Sequence, residues 1–159
     1  MIPIKSLEFR MASVIRAGLR QSLRNADPRD IPTSIRHAQD RLTDSLYAPL
    51  YAQIVAVYSE GYTSAGELIH RHAPYNLLRS AASPLGDTIV YEDPRIAKAT
   101  KAVIYGVQGS LGKRLNRYFD NHRVASTRFA RTAATDIYNR ARLDRYEDSG
   151  VVDGTQFSA

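Results

Sequence analysis

The longest run of helical periodicity in the sequence falls between residues 33 and 73 and constrains the fold more than any other feature. Ile35, Ala38, Leu42, Leu46, Leu50, Ile54, Val57, Gly61, Ala65, Leu68 and Ile69 form a nearly unbroken apolar stripe. Recurrence at three and four residues places them on one face of a long helix. Pro32 with Thr33 or Ser34 supplies the start signal. Pro49 interrupts the pattern, and a proline inside a helix removes a hydrogen bond and crowds the preceding turn, so a kink or a break is expected near Ala48. Gly61 and Gly66 weaken the second half and open it to close approach by another helix.

The other helices are read the same way. Ser6 is a plausible N-cap for an amphipathic helix over residues 6 to 26, with Leu7, Met11, Val14, Ile15, Gly18, Leu19 and Leu23 on its apolar face. Asn25-Ala26-Asp27-Pro28 ends it, because the residue before proline disfavours helical geometry. Residues 74 to 93 lack helical period and carry Pro74, Pro84 and Gly86, which marks a linker or arm. Within it, Thr88 to Tyr91 reads as a short strand or an extended arm. Asp93-Pro94 is an N-cap followed by proline at the first helical position. Ile96, Ala99, Val103 and Val107 give that helix its apolar face. Gly106, Gly109 and Gly112 predict a turn near Gly109, with Ser110 capping the next helix and Asn121 capping a last one over residues 122 to 148.

The sum is an all-α chain of five or six helices, an elongated multi-helix bundle with an extended C-terminal tail or short strand. It divides into N-terminal helices over 1–73, a linker or arm over 74–93, and C-terminal helices with a tail over 94–159. The tail from Val151 to Phe157 wants a partner strand, either the 88 to 91 segment or another chain. Gln156-Phe157-Ser158-Ala159 reads as a strand cut short, as in a truncated or processed form of a longer protein.

The last helix has internal order of its own. Ala133, Ile137 and Ala141 share one face, and Tyr138, Arg142 and Tyr146 form a second stripe beside it. Gly150 follows the last plausible turn and suits the left-handed conformation that closes a helix. Val151-Val152 then starts an extended segment, and Asp153-Gly154 signals a turn. Arg131-Thr132, then Tyr138-Asn139 with Ala141-Arg142, then Tyr146, Ser149-Gly150-Val151-Val152 and Gly154 resemble the motif of the phage head morphogenesis family. That family comprises minor head proteins similar to the gene F protein of phage Mu. Ile104, Gly106, Val107, Ser110, Leu111 and Leu115 look like the short helical hairpin preceding the motif, so the resemblance covers residues 99 to 154. Two departures stand out. Ala133 occupies a place where the family often has Glu, and the chain ends before the strand and turn rich in Asp, Arg and Cys with which the family usually continues.

Charge is unevenly placed. Residues 95 to 145 hold 12 Lys and Arg against 3 Asp, a balance of +9, whereas the whole chain carries +6. Such a stripe suits nucleic acid, an acidic protein face, or a solvated helix surface. Lys113, Arg114, Arg117, Arg123, Arg128, Arg140 and Arg145 are the candidate contacts to nucleic acid or portal, with Tyr118, Phe119 and Tyr138 interleaved. Without a DNA-reading motif, binding to DNA would be non-specific and weakened by salt. Arg131 and Arg142, together with Thr132, Tyr138, Asn139, Tyr146, Gly150 and Gly154, are expected to be structural, the two arginines holding Asp136, Asp144 or carbonyls near the tail.

Other chemistries find little footing. The chain has no Cys, which removes disulfides and thiolate metal sites. His70 and His72 are two apart and so face different ways, where a metal pair on a helix wants three or four. The carboxylates are scattered, no nucleophile is paired with a base, and Gly106, Gly109 and Gly112 follow no strand and precede no Lys-Ser or Lys-Thr. An enzyme is therefore not expected, and neither a cofactor nor a metal.

The resemblance implies a structural head protein of a tailed phage or prophage. It would act with the portal and other head proteins in head morphogenesis or DNA delivery, in several copies or a ring, with the basic face toward packaged double-stranded DNA or the portal. Its place would be the head interior or portal vertex, and the host cytoplasm during assembly. The alternative is a helical protein that binds DNA non-specifically, free in the cell.

Overall fold

The computed structural model describes residues 3–22, 24, 29–72, 93–113 and 115–150, with the side chains of 31, 72 and 110–125 outside that description. It is an elongated four-helix bundle with no strand among the described residues: α1 (Ile4–Ser22), α2 (Ile31–His72), α3 (Pro94–Lys113) and α4 (Leu115–Ser149). The expectations for the linker, the 88 to 91 segment, the residue 25 to 28 helix end and the tail beyond Gly150 lie outside the described residues.

The start of α1 precedes the expected cap. The Pro3 carbonyl accepts from the amides of Ser6 and Leu7, at 3.0 and 3.3 Å, so the helix begins at Ile4 and Ser6 is already inside it. The cap of α2 is likewise earlier. Asp30 accepts the Thr33 amide through its carboxylate at 3.3 Å, and its carbonyl accepts the Ser34 amide at 3.1 Å. Thr33 and Ser34 are helical residues and Asp30 is the N-cap.

No break occurs at Pro49, where α2 runs on as one helix of 42 residues. Pro49 is exposed, while Leu46 and Leu50 on either side of it are fully buried. Pro49 thus lies on the solvent side of α2, and burial of the flanking leucines outweighs the propensity cost.

Asp93 caps α3 as expected, accepting the Arg95 amide at 2.9 Å. The turn near Gly109 is not there. Helix α3 continues to Lys113 and α4 begins at Leu115, so Ser110 and Asn121 lie within helices rather than at caps. Gly106 has a packing role inside α3. A Cβ there would meet Phe129 Cζ of α4 at 2.6 Å, so the bare backbone makes room for an aromatic ring.

One core unites the helices before and after the linker. Leu7, Met11, Ile15 and Leu19 of α1, Leu42 to Tyr62 of α2, Ile96 to Val107 of α3 and Ala130 to Ala141 of α4 belong to a single buried cluster. The closest approach is at Gly61, where an added Cβ would stand 2.3 Å from the Tyr138 carbonyl oxygen and 3.1 Å from Ala141 Cβ. This is the close contact that the glycine pattern of α2 anticipates. Gln39 and Gln108 tie α2 to α3 by exchanging side-chain amide donors with backbone carbonyls, at 2.8 and 2.9 Å. Gly150 ends α4 with φ +68°, the left-handed cap expected of it, and its amide donates to the Glu147 carbonyl at 3.3 Å.

Candidate functional site

Three helices converge on a polar cluster at the Tyr62 end of the core. Tyr58 and Tyr62 sit one turn apart on α2 and their rings stack, with centroids 6.2 Å apart. Asp144 and Asp148 sit one turn apart on α4. Tyr58 donates its hydroxyl to Asp144 Oδ2, and Tyr62 donates to Asp148 Oδ2 at 2.7 Å. Both pairs advance four residues in the same sense, so α2 and α4 run parallel here.

Arg95, in the first turn of α3, joins the cluster from the third side. Its guanidinium donates to Asp93 at 3.0 and 3.2 Å and to Asp148 at 3.0 and 3.3 Å. It also approaches Asp144 Oδ2 at 3.9 Å, and lies 5.7 and 5.9 Å from the ring centroids of Tyr58 and Tyr62. Arg145 lies 5.4 Å from the Tyr62 ring centroid. Electron-rich ring faces favour cations at such distances.

The cluster shifts its own titrations. Burial, and then the hydrogen bond to Asp148, pushes the Tyr62 hydroxyl up to about 12. Burial and the bond to Asp144 push Tyr58 higher still. Burial works to raise the Asp93 carboxyl, but hydrogen bonds and charge from Arg95 outweigh it and hold the group below its ordinary value. Burial likewise works against the Arg95 cation, and its bonds to Asp93 and Asp148 overcome that and raise it. Each group is thereby kept in the protonation state its partner needs.

Beside the cluster, α3 and α4 are bridged at two places and separate between them. Arg95 reaches Asp148 at one end, and Gly106 meets Phe129 at the other. A cleft of about 810 Å³ lies between, with Ala99, Ala102, Val103, Ala133 and Ile137 along its walls and Tyr58 at its floor. Lys98, Arg128, Thr132, Asp136 and Arg140 stand along it as well.

The candidates from the sequence are dispersed by the fold. Arg128 and Arg140 are exposed at the cleft, Arg140 with its Nε 3.5 Å from Asp144. Arg145 is only 1% exposed, so no partner surface reaches it. Helical phase turns it inward to the Tyr62 ring, which corrects its reading as a contact residue. Lys113, Arg114, Arg117, Arg123 and Gly154 lie outside the described residues or side chains. Arg131 pairs with neither Asp136 nor Asp144 but reaches Glu8 of α1 at 4.0 Å from a largely exposed position. Arg142 donates to the Tyr146 hydroxyl at 3.4 Å, one turn along its own helix. Asp144 is held instead by Tyr58, Arg140 and Arg95. Thr132 and Asn139 are exposed, and Tyr138 packs half-buried on the core.

Sequence reasoning missed Arg95 and the two tyrosines. The Asp93-Pro94 signal stands beside Arg95, and Tyr58 and Tyr62 share helical phase, but only the fold brings them to Asp144 and Asp148. Among the described residues, no group of three His, Asp or Glu is placed to hold a metal ion, and no helix is long and apolar enough to cross a membrane. Comparison with protein-family models, curated proteins and solved structures finds no match to the chain.

Proposed function

We propose that the protein is a structural minor head protein of a tailed phage or prophage, associated with the portal inside the head and acting in head morphogenesis or DNA delivery. The observation that carries this reading is how the motif resembling that of minor head proteins is used. Its residues fix the shape of the bundle: the Tyr138 carbonyl lies against Gly61, Ala141 is buried, and Gly150 closes α4 at φ +68°. A motif built of packing contacts and a cap supports a scaffold role.

In this reading the partners are the portal, other head proteins and packaged double-stranded DNA. The protein acts in several copies or a ring, at the head interior or portal vertex, after assembly in the host cytoplasm. The test is co-sedimentation with the portal protein of the same genome, in low and high salt, with and without DNA. Binding at a fixed ratio that survives high salt is expected. A second reading, free non-specific DNA binding, draws on the exposure of Arg128, Arg131 and Arg140 along α4. Salt-sensitive DNA binding with no portal binding would replace the first reading by the second.

A further inference from the structure

We infer that the α3–α4 cleft seats an acidic amphipathic helix of a partner protein. The inference deepens the assembly reading, on which it rests, by giving the partner's chemistry. Its basis is the shape of the cleft, the charge along it and the backbone of its walls.

The cleft is braced open. The Arg95–Asp148 bridge and the Gly106–Phe129 contact hold α3 to α4 at its two ends. On its far side α3 is held to the core by buried Ile96, Ile104 and Val107 and to α2 by the Gln39–Gln108 exchange. Between the bridges, Ala99, Ala102 and Ala133 leave a trough of small apolar side chains. Exposed Ala102 and half-buried Ala99 are apolar surface that a docked apolar residue would take out of water.

Charge selects the sign of the occupant. Arg95 and Arg140 are engaged by Asp148 and Asp144. Lys98 on one wall and Arg128 on the other are exposed and form no ion pair among the described residues. Of the two lining carboxylates, Asp144 is buried and bonded to Tyr58, which leaves Asp136 as the exposed one. The accessible balance is positive, with an apolar trough between two cations, and it matches a helix with apolar residues on one face and Glu or Asp flanking them.

Backbone chemistry excludes an extended occupant. Both walls are helices whose backbone groups are bonded internally, so a strand laid in the cleft would find no edge to pair with. A helix brings its own hydrogen bonds. Half-sunk along the roughly 16 Å of α3 between Arg95 and Gly106, a helix about 10 Å across takes up roughly 600 Å³. The 810 Å³ of the cleft accommodates that with its apolar side chains. Two free cations flanking an apolar trough neutralise few phosphates, which disfavours nucleic acid as the occupant.

The experiment uses the full chain and labelled helical peptides of about four turns, patterned with Leu, Ile and Phe on one face. One set carries Glu at the flanks and the other Lys, and binding is read by fluorescence anisotropy. The Glu set is expected to bind and the Lys set not. Lys98→Glu with Arg128→Glu should weaken the Glu set roughly tenfold, about 1.4 kcal/mol, and admit the Lys set. Ala102→Glu should abolish binding of the Glu set. All three positions are exposed, and circular dichroism checks that each variant folds. Equal binding by both sets, no binding by the Glu set, or binding that ignores Ala102→Glu would overturn the inference. So would saturable binding of dodecanoate or of a DNA duplex, lost in the same variants, without peptide binding. Portal co-sedimentation of wild type and Ala102→Glu separates the two claims. Portal binding by both leaves the assembly reading standing and removes the cleft from it. Peptide binding without portal binding keeps the cleft and removes the portal.

Discussion

Tyr58 of α2 and Asp144 of α4 form a buried hydrogen bond across the helix interface, and Tyr62 and Asp148 repeat it one turn on. The two carboxylates differ in what else they have. Asp148 keeps both Arg95 bonds and partial access to water, whereas Asp144 is 4% exposed and otherwise has Arg140 at 3.5 Å and Arg95 at 3.9 Å.

Removing the hydroxyls should therefore have unequal effects. Tyr58→Phe leaves a buried carboxylate short of a donor and is expected to destabilise by about 2 kcal/mol, whereas Tyr62→Phe should cost about 1 kcal/mol. Urea denaturation of the two variants checks the order. Equal or reversed losses would show that the Tyr58 bond has no special weight.

Alkaline pH should loosen the bundle in a defined window. Unfolded tyrosines lose their protons near pH 10, while Tyr62 holds its proton to about 12 and Tyr58 beyond that. The unfolded chain thus sheds protons that the fold retains, and stability present below about pH 10 falls as pH rises through 12. Absorbance of tyrosinate, followed with circular dichroism, should show a late phase coincident with unfolding. A double Tyr58→Phe, Tyr62→Phe variant should lack that phase.

At the acid end the sign reverses. Arg95 holds the Asp93 carboxyl low, so its contribution is present above the ordinary Asp value of about 4 and is lost as pH falls through the folded one. Asp93→Asn keeps a capping oxygen but not the charge, and should flatten the acid limb of a stability–pH curve. An unchanged limb would mean that the Asp93–Arg95 pair adds nothing beyond the cap.

Two helical glycines should respond oppositely to alanine. At Gly61 the new Cβ would stand 2.3 Å from backbone oxygen of α4, so Gly61→Ala is expected to cost about 3 kcal/mol. At Gly109 nothing lies within 4 Å, and Gly109→Ala should gain about 0.5–1 kcal/mol from helix propensity. Thermal melts of both variants test this. A stabilised Gly61→Ala would show that α4 is free to shift.

What the sequence made legible was local. The α2 stripe, the Asp93-Pro94 start and the Gly150 cap each depend on neighbours within a few residues, and each appears in the fold. Turn and cap propensity alone favours a break at Gly109 and a cap at Asn121, yet both lie inside helices, and the Phe129 ring sits against the bare backbone of Gly106. The polar cluster needed partners 86 positions apart in sequence, a separation over which no periodicity gives information. Arg145 shows the same gap, since its charge suggested surface while its helical phase turned it under Tyr62.

The paired tyrosines and paired aspartates also act as a register lock between α2 and α4. A slip of α4 by one turn, about 5.4 Å, would bring Tyr62 to Asp144 or Tyr58 to Asp148, depending on direction. Either way one hydroxyl and one carboxylate would lose their partners inside the bundle, at about 1–3 kcal/mol for each such group. Sliding is thus penalised in both directions, and the α2–α4 junction holds a single register along its axis.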